Sequence, residues 1–287
     1  MTPRDLPHRD PRVADVLLEI VRRRRERFAG ESPPPAAAPL DLPASGERHE
    51  PLSAPENPFL AALAAARAAG RPAVIAEVKM GSPRLGPLAG RVDPLAQARL
   101  YGAAGATALS VVVEPDFFHG SYELLAACRR ASGLPAVAKD FLVDVRQLEA
   151  ARASGADAVL LIAALHDAAG LARWAARARA LGLAPLIETH DDADLDKLGA
   201  GAGWELVGVN NRDLRTFEVD LERSGRLARR LPAGALRVAE SGIGSGADVA
   251  RLAAAGFDAF LVGESLLLAD DPAALLAELA AARAESP

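Results

Sequence analysis

The chain has 287 residues, half of them hydrophobic and a quarter charged, with a net charge of −5. That is a globular composition, neither disordered nor fibrous, and its acidic balance argues against a general affinity for nucleic acid or an anionic membrane. No run approaches the ~18 consecutive apolar residues of a membrane span, and the N-terminus opens on charge and proline, so a cytoplasmic location is expected. The single cysteine, Cys128, excludes an internal disulfide framework. Five scattered histidines (His8, His49, His119, His166, His190) lack metal-ligand spacing, so no metal is expected. Of 33 basic residues only Lys79, Lys139 and Lys197 are lysines. Against such a bias, a surviving lysine points to a place where a compact ammonium, able to give or take a proton, is needed.

In chain order, Met1 to Gly30 is arginine-rich and carries Val13, Val16, Leu17, Ile20 and Val21 at helical spacing. This predicts an amphipathic helix ending in Arg22-Arg23-Arg24-Arg25. Asp15, Glu19 and Glu26 interrupt the basic run, so it reads as a solvated helix end and not as a nucleic-acid contact. Pro33 to Pro58, rich in Pro, Ala and Ser and without a period, reads as an extended surface linker. A short helix, Phe59 to Ala69, then leads into the main region. Beyond Arg71, short β-branched apolar runs alternate with longer Ala/Leu/Arg stretches at helical spacing. The runs start near Ala73, Ala106, Pro135, Asp157, Leu183, Trp204, Leu236 and Asp258, at a mean interval of about 26 residues, close to one βα unit. A last helix, Pro272 to Arg283, follows. Eight such units, with no G-x-G-x-x-G after the first strand, favour a closed barrel over an open doubly wound sheet. The expected organisation is α/β: a (β/α)8 TIM barrel over residues 71–287 as the catalytic domain. Residues 1–70 form an N-terminal helical extension and Pro/Ala-rich linker packing on that barrel.

In this fold the chemistry sits at the C-terminal ends of the strands. Ionisable or amide side chains end six of the runs: Glu77-Val78-Lys79, Lys139-Asp140-Phe141, Glu188, Asn210-Asn211-Arg212, Glu240-Ser241-Gly242 and Gly263-Glu264-Ser265. Strand alternation sends Glu77 and Lys79 to one side, toward the barrel mouth. The glycine-bearing turns Ser241-Gly242-Ile243-Gly244 and Val262-Gly263-Glu264-Ser265 follow strands seven and eight, the frequent phosphate position of the fold. A phosphorylated small molecule is therefore the expected ligand. Two carboxylates (Glu77, Glu188), two ammonium groups and an arginine suit acid–base chemistry on an anionic substrate, lysine donating and glutamate accepting. A Schiff base on a lysine is the other use of such a set, and composition does not separate the two. Lys197, in the helix after strand five, reads as a surface residue.

Seven motifs, taken in order, resemble the indole-3-glycerol phosphate synthase family of tryptophan biosynthesis. They are AEVKMGSP (Ala76 to Pro83), LSVVVEPDFFHGS (Leu109 to Ser121), KDFLVD (Lys139 to Asp144), LIETH (Leu186 to His190), VGVNNRDL (Val207 to Leu214), AESGI (Ala239 to Ile243) and LVGESL (Leu261 to Leu266). The resemblance covers nearly the whole chain from Val13 onward, including an N-terminal helical extension. It implies ring closure of 1-(2-carboxyphenylamino)-1-deoxyribulose 5-phosphate to indole-3-glycerol phosphate, with loss of carbon dioxide and water and with no cofactor. It also leaves room for association with other tryptophan-pathway enzymes.

The same resemblance implies roles for individual residues. Lys139 matches the general acid and Glu188 the partner in the later proton removal and dehydration. Lys79 matches a lysine that pairs with the substrate's anionic groups, and Glu77 holds that network. Asn210 and Arg212 match residues orienting substrate hydroxyl and carboxylate groups, and Ser82 a loop serine near the carboxylate. Phe118, Phe141 and Leu160 match an apolar wall around the anthranilate ring, and Glu240 and Leu261 complete the substrate site. Ser241, Gly242, Gly263 and Glu264 match the phosphate loops, with the Glu264 carboxylate turned away. The first βα loop departs from the family pattern, with Met80 at a usually basic position and Arg84 at a usual serine. Val113-Glu114-Pro115 likewise replaces L-T-[DE]. These changes spare the proton-transfer residues, so an active enzyme is expected.

Overall fold

A computed structural model describes residues 11–29, 51–83, 86–199, 203–213 and 216–283. The eight apolar runs become eight parallel strands: β1 (Ala73–Val78), β2 (Ala108–Val112), β3 (Ala136–Lys139), β4 (Ala158–Ile162), β5 (Ala184–Thr189), β6 (Leu206–Asn210), β7 (Leu236–Glu240) and β8 (Ala259–Val262). Each pairs with the next, and β1 also pairs with β8 in the register Ala73 to Ala259 through Ala76 to Val262, which closes the barrel. Six strands begin a residue or two later than the sequence suggests, and at two of them, β4 and β8, the residue at the foot carries polar work. The Asp157 carboxylate accepts the Ala136 N–H at 2.9 Å and an Arg129 hydrogen bond at 3.1 Å, tying the bottoms of β3 and β4 together. Asp258 does the same for the Arg237 N–H at 2.9 Å.

Both faces of these strands are buried, which is why they read as continuous apolar runs and not as alternating ones. Val74, Ala76, Leu109, Val111, Val159 and Leu161 face outward into the helical layer, while Ile75, Val137, Leu160, Leu186, Val238 and Leu261 fill the interior. The helices of that layer are α3 (Pro94–Ala103), α4 (Tyr122–Ser132), α5 (Val145–Ala153), α6 (Ala168–Ala180), α7 (Asp192–Asp196), α8 (Glu222–Leu227), α9 (Gly246–Ala254), α10 (Glu264–Leu268) and α11 (Pro272–Ala281). Most start on a side-chain cap, for example Asp144 with Gln147 on α5 and Ser245 with Asp248 on α9, so the strand-to-helix turns are well defined.

Helix α2 (Pro58–Ala68) plugs the bottom of the barrel with Phe59, Leu60 and Leu63. Asn57 anchors it, capping the N–H groups of Phe59 and Leu60 at 3.0 and 3.1 Å while donating to the Asp157 carbonyl at 2.8 Å. Of the linker read over Pro33 to Pro58, the stretch up to residue 50 lies outside the described residues, and a 3-10 turn occupies Ala54–Glu56. Helix α1 (Pro11–Ala29) lies at the opposite end, where Val16, Leu17 and Ile20 line the barrel mouth.

The basic run on α1 differs from its expected solvated state. Arg22 and Arg23 do stay exposed, pairing with Glu19 on the same helix. Arg24, however, is 3% exposed and donates to the Asp140 carboxylate just past β3. The 3.6-residue period turns one arginine of the run inward on the same face as Ile20, and a buried carboxylate receives it.

Candidate active site

In a closed barrel, every second residue of each strand points inward. The uppermost inward residues here are Glu77 on β1, Lys139 on β3, Glu188 on β5, Asn210 on β6 and Glu240 on β7, all capping an apolar interior. They line one cavity at the C-terminal end, together with Lys79, Ser82, Phe118, Phe141, Leu160, Arg212, Ser241, Gly242, Leu261, Gly263 and Glu264. All the site residues named from the sequence thus meet in one place. Of the altered first loop, Gly81–Ser82 pairs antiparallel with Gly86–Pro87, and Arg84 lies outside the described residues.

Lys139 sits between two carboxylates, its Nζ 3.1 Å from Glu240 Oε2 and 3.3 Å from Glu188 Oε2. Burial works against its charge, but Glu240, Glu188 and Glu77 outweigh it, so the ammonium is held well above its ordinary pKa. Beside it, Lys79 Nζ lies 3.0 Å from Glu77 Oε1. Burial raises the Glu77 carboxyl, and the two lysines more than reverse that, leaving it below the usual carboxylate range. The two remaining carboxyls are driven apart. Burial and the Glu188 charge push Glu240 up to about 7 despite Lys139. Glu188, equally buried, is pulled down by Lys139 and His190. Such splitting separates a proton donor from a proton acceptor within one site.

The walls differ in character. Phe118 and Phe141, with ring centroids 6.2 Å apart, and Leu160 give an apolar side to the cavity, which Ile20 of α1 also lines. On the other side Asn210 accepts the Arg212 N–H at 2.9 Å, which orients the start of the loop after β6. Ser241 and Gly242 adopt consecutive left-handed conformations (φ 67° and 80°) that turn the chain sharply out of β7. The Glu264 carboxylate lies 3.4 Å from Arg212 Nη2, which ties the turn after β8 to the loop after β6. Nor is Lys197 a plain surface residue: its Nζ donates to the Ala163 carbonyl at 2.8 Å and to Asp194 at 2.9 Å.

Three contributions are not visible in the sequence. Val16, Leu17 and Ile20 give no sign of joining a cavity formed some 50 residues later. Asp140 reads as part of a strand end, yet it is the buried partner of Arg24, Tyr122 (3.0 Å) and Gln147 (2.9 Å). His190 lies within a quoted motif, but its ring contact with Glu188, at 3.2 Å, had only the i, i+2 spacing as a signal.

Comparison with known proteins agrees with this geometry. The family model for indole-3-glycerol phosphate synthase matches residues 19–279. Among curated proteins, the indole-3-glycerol phosphate synthase of Albidiferax ferrireducens is 42% identical over 267 residues, 93% of this chain and 98% of its own. That of Burkholderia vietnamiensis is also 42% identical, over 93% of this chain and 99% of its own. That of Aromatoleum aromaticum is 44% identical over 91% and 97% respectively. With matches of this extent and a closed barrel carrying a single polar mouth, the chain belongs to the indole-3-glycerol phosphate synthase family, carboxy-lyases of tryptophan biosynthesis.

Proposed function

We propose that the chain closes the indole ring of 1-(2-carboxyphenylamino)-1-deoxyribulose 5-phosphate, releasing carbon dioxide and water to give indole-3-glycerol phosphate. The observation that carries this reading is the Lys139 ammonium, held between Glu188 and Glu240 beneath the Phe118/Phe141 wall. Lys139 gives its proton to the substrate carbonyl oxygen as the carboxylate-bearing ring carbon attacks that carbonyl carbon. Carbon dioxide then leaves from the ring carbon. Loss of the new hydroxyl as water, with removal of a proton, completes the aromatic ring, and Glu188 is the base for that step. Lys139 is charged at any neutral pH, so the donor state is always ready.

The other roles follow from position. Lys79, tied to Glu77, meets the substrate's anionic groups, with Ser82 near the carboxylate; Asn210 and Arg212 orient hydroxyl and carboxylate groups. Glu240 and Leu261 bound the substrate, and the turns at Ser241-Gly242 and Gly263-Glu264 take the phosphate. The reaction as written needs no metal or organic cofactor. The extension of residues 1–70 serves the barrel of residues 71–287 through its two described helices, α1 covering the mouth and α2 plugging the foot. A buried free thiol at Cys128 suits a cytoplasmic enzyme.

Purified protein, given the substrate without added metal or cofactor, is expected to generate indole fluorescence. Lys139→Ala should lower kcat by at least ~10²-fold, the usual loss on removing a positioned general acid. Absence of turnover in the wild type, or equal kcat in the variant, would overturn the reading.

A further inference from the structure

Behind Glu188 lies a line of charged groups that the reaction as written does not use. His190 follows Glu188 by two residues, so both side chains leave the chain on the same side. Its Nε2 lies 3.2 Å from Glu188 Oε1, and its Nδ1 lies 3.4 Å from Asp194 Oδ2. Asp194, in α7, is itself fixed: Oδ2 accepts the His190 backbone N–H at 3.1 Å and Oδ1 accepts Lys197 Nζ at 2.9 Å. Lys197 is pinned in turn by the Ala163 carbonyl. Charge alternates along the line, from Lys197 through Asp194, His190 and Glu188 to Lys139.

None of His190, Asp194 and Lys197 lines the cavity, so none of them is there to hold substrate. Asp194 has a structural duty at the turn into α7, which its backbone contact already satisfies. That duty does not account for the imidazole edge. Nε2 is buried without a well-aligned hydrogen-bond acceptor, and the nearest candidate is the Glu188 carboxylate. Both ring nitrogens thus face carboxylates, the arrangement of a doubly protonated ring. The same two carboxylates, against the cost of burial, raise His190 to about 9.

We propose that His190, clamped by Asp194 and Lys197, is a positioning residue that holds Oε1 of Glu188, so that only Oε2 meets the Lys139 ammonium. Without that hold, both oxygens of Glu188 are free to turn onto Lys139 and close a tight pair, taking the base out of reach and occupying the donor. With it, Lys139 keeps hydrogens for Glu240 and for the substrate, and the neighbouring cation keeps Glu188 ionised. The groups facing the His190 ring are Glu188 and Asp194, with Lys139, Glu240 and Lys197 one step further out. This inference rests on the proposed reaction, since it assigns His190 a part in it.

The test compares wild type, His190→Ala, His190→Gln and Asp194→Asn in steady-state kinetics across pH. It adds 15N NMR of the His190 ring in the wild-type protein. Misplacing a catalytic group by about 1 Å costs up to ~10²-fold. His190→Ala and Asp194→Asn are therefore expected to lose about 10- to 100-fold in kcat with KM changed less than about twofold. His190→Gln, which keeps an N–H at similar reach but not the charge, should recover part of the loss. In both His190 variants the acid limb of kcat should move to higher pH. The wild-type ring should be doubly protonated at pH 7.5. Unchanged kcat in a folded His190→Ala, an unmoved acid limb, or a neutral ring overturns the proposal. If His190→Ala does not fold, His190→Gln and the wild-type ring shifts decide. A wild type without synthase turnover would fail the proposed reaction itself, while ring protonation still reports on the His190–Glu188 contact.

Discussion

A Cβ on Gly208 would sit 2.3 Å from Glu240 Oε1 and 3.3 Å from Leu186 Cδ1. The residue is in the body of β6 without a left-handed φ, so what the position demands is space. Gly263 serves Glu77 in the same way, its missing Cβ lying 2.3 Å from Glu77 Oε1. Glu240 cannot yield cheaply, being 1% exposed and drawn to Lys139 at 3.1 Å. Gly208→Ala is accordingly expected to swing Glu240 off Lys139, lowering kcat at least about tenfold, while overpacking costs about 1–3 kcal/mol. Steady-state kinetics beside a thermal melt would check this, and an unchanged kcat would show that Glu240 is not held by that space. The strand-end carboxylates and lysines were legible in the sequence because a charge closing an apolar run has few places to go except the mouth. The glycines facing them were not, because Gly208 in VGVNN looks like any small residue in a tight strand. Lys197 was misread for a related reason. An i, i+3 neighbour of Asp194 on a short helix gives no sign that Asp194 is already committed to His190.

At the scale of elements, the barrel strands were readable because burial on both faces and the Gly or Pro at their ends are written locally. The docking of α1 was not, because it depends on partners more than 80 residues away. Arg24 meets Asp140, Arg27 reaches Asp116 at 3.2 Å, Arg23 lies over the Phe117 ring, and Arg146 donates to the Phe28 carbonyl at 2.7 Å. Only the first of these is buried. Removing one partner of a buried ion pair costs about 3–5 kcal/mol when the other stays buried. Asp140 escapes that cost if α1 lifts and water enters. Arg24→Ala should therefore release α1 from the mouth instead of unfolding the barrel, and Ile20, Leu17 and Val16 go with it. The expected outcome is loss of hydrogen-exchange protection in α1 with the barrel amides unaffected. KM should rise about tenfold, equivalent to about 1.4 kcal/mol of lost contact. Retained protection in α1 would mean that the remaining contacts hold the helix without Arg24.

For the whole molecule, the many exposed arginine pairs, such as Arg226 with Asp220, add little to stability in water, since solvent and salt screen them. Between about pH 4.5 and 9 the charges that couple folding to pH most strongly are buried ones at the mouth and just behind it. His190 is raised from 6.5 to about 9 by folding, against burial, through Asp194 and Glu188. A group raised in this way stabilises the fold fully below its unfolded pKa and loses that contribution as pH climbs through its folded pKa. Its window is therefore about pH 6.5 to 9. Glu240, raised from 4.5 to about 7 chiefly by burial, has the same sign in a lower window, between about pH 4.5 and 7. Glu188 and Glu77, both lowered, act oppositely and withdraw their support only as pH falls below the ordinary carboxylate range. Between about pH 7 and 9 His190 is thus the dominant raised group that changes charge, since the raised Cys128 thiol titrates only above that window. The His190 shift corresponds to at most about 3 kcal/mol of stability lost between pH 6.5 and 9. Urea unfolding at those two pH values should show a lower midpoint at pH 9 in the wild type, with a much smaller difference in His190→Gln. If both proteins respond alike, the imidazolium is not what ties the fold to pH, and the charge on the Glu188 side of the mouth is balanced by some other group.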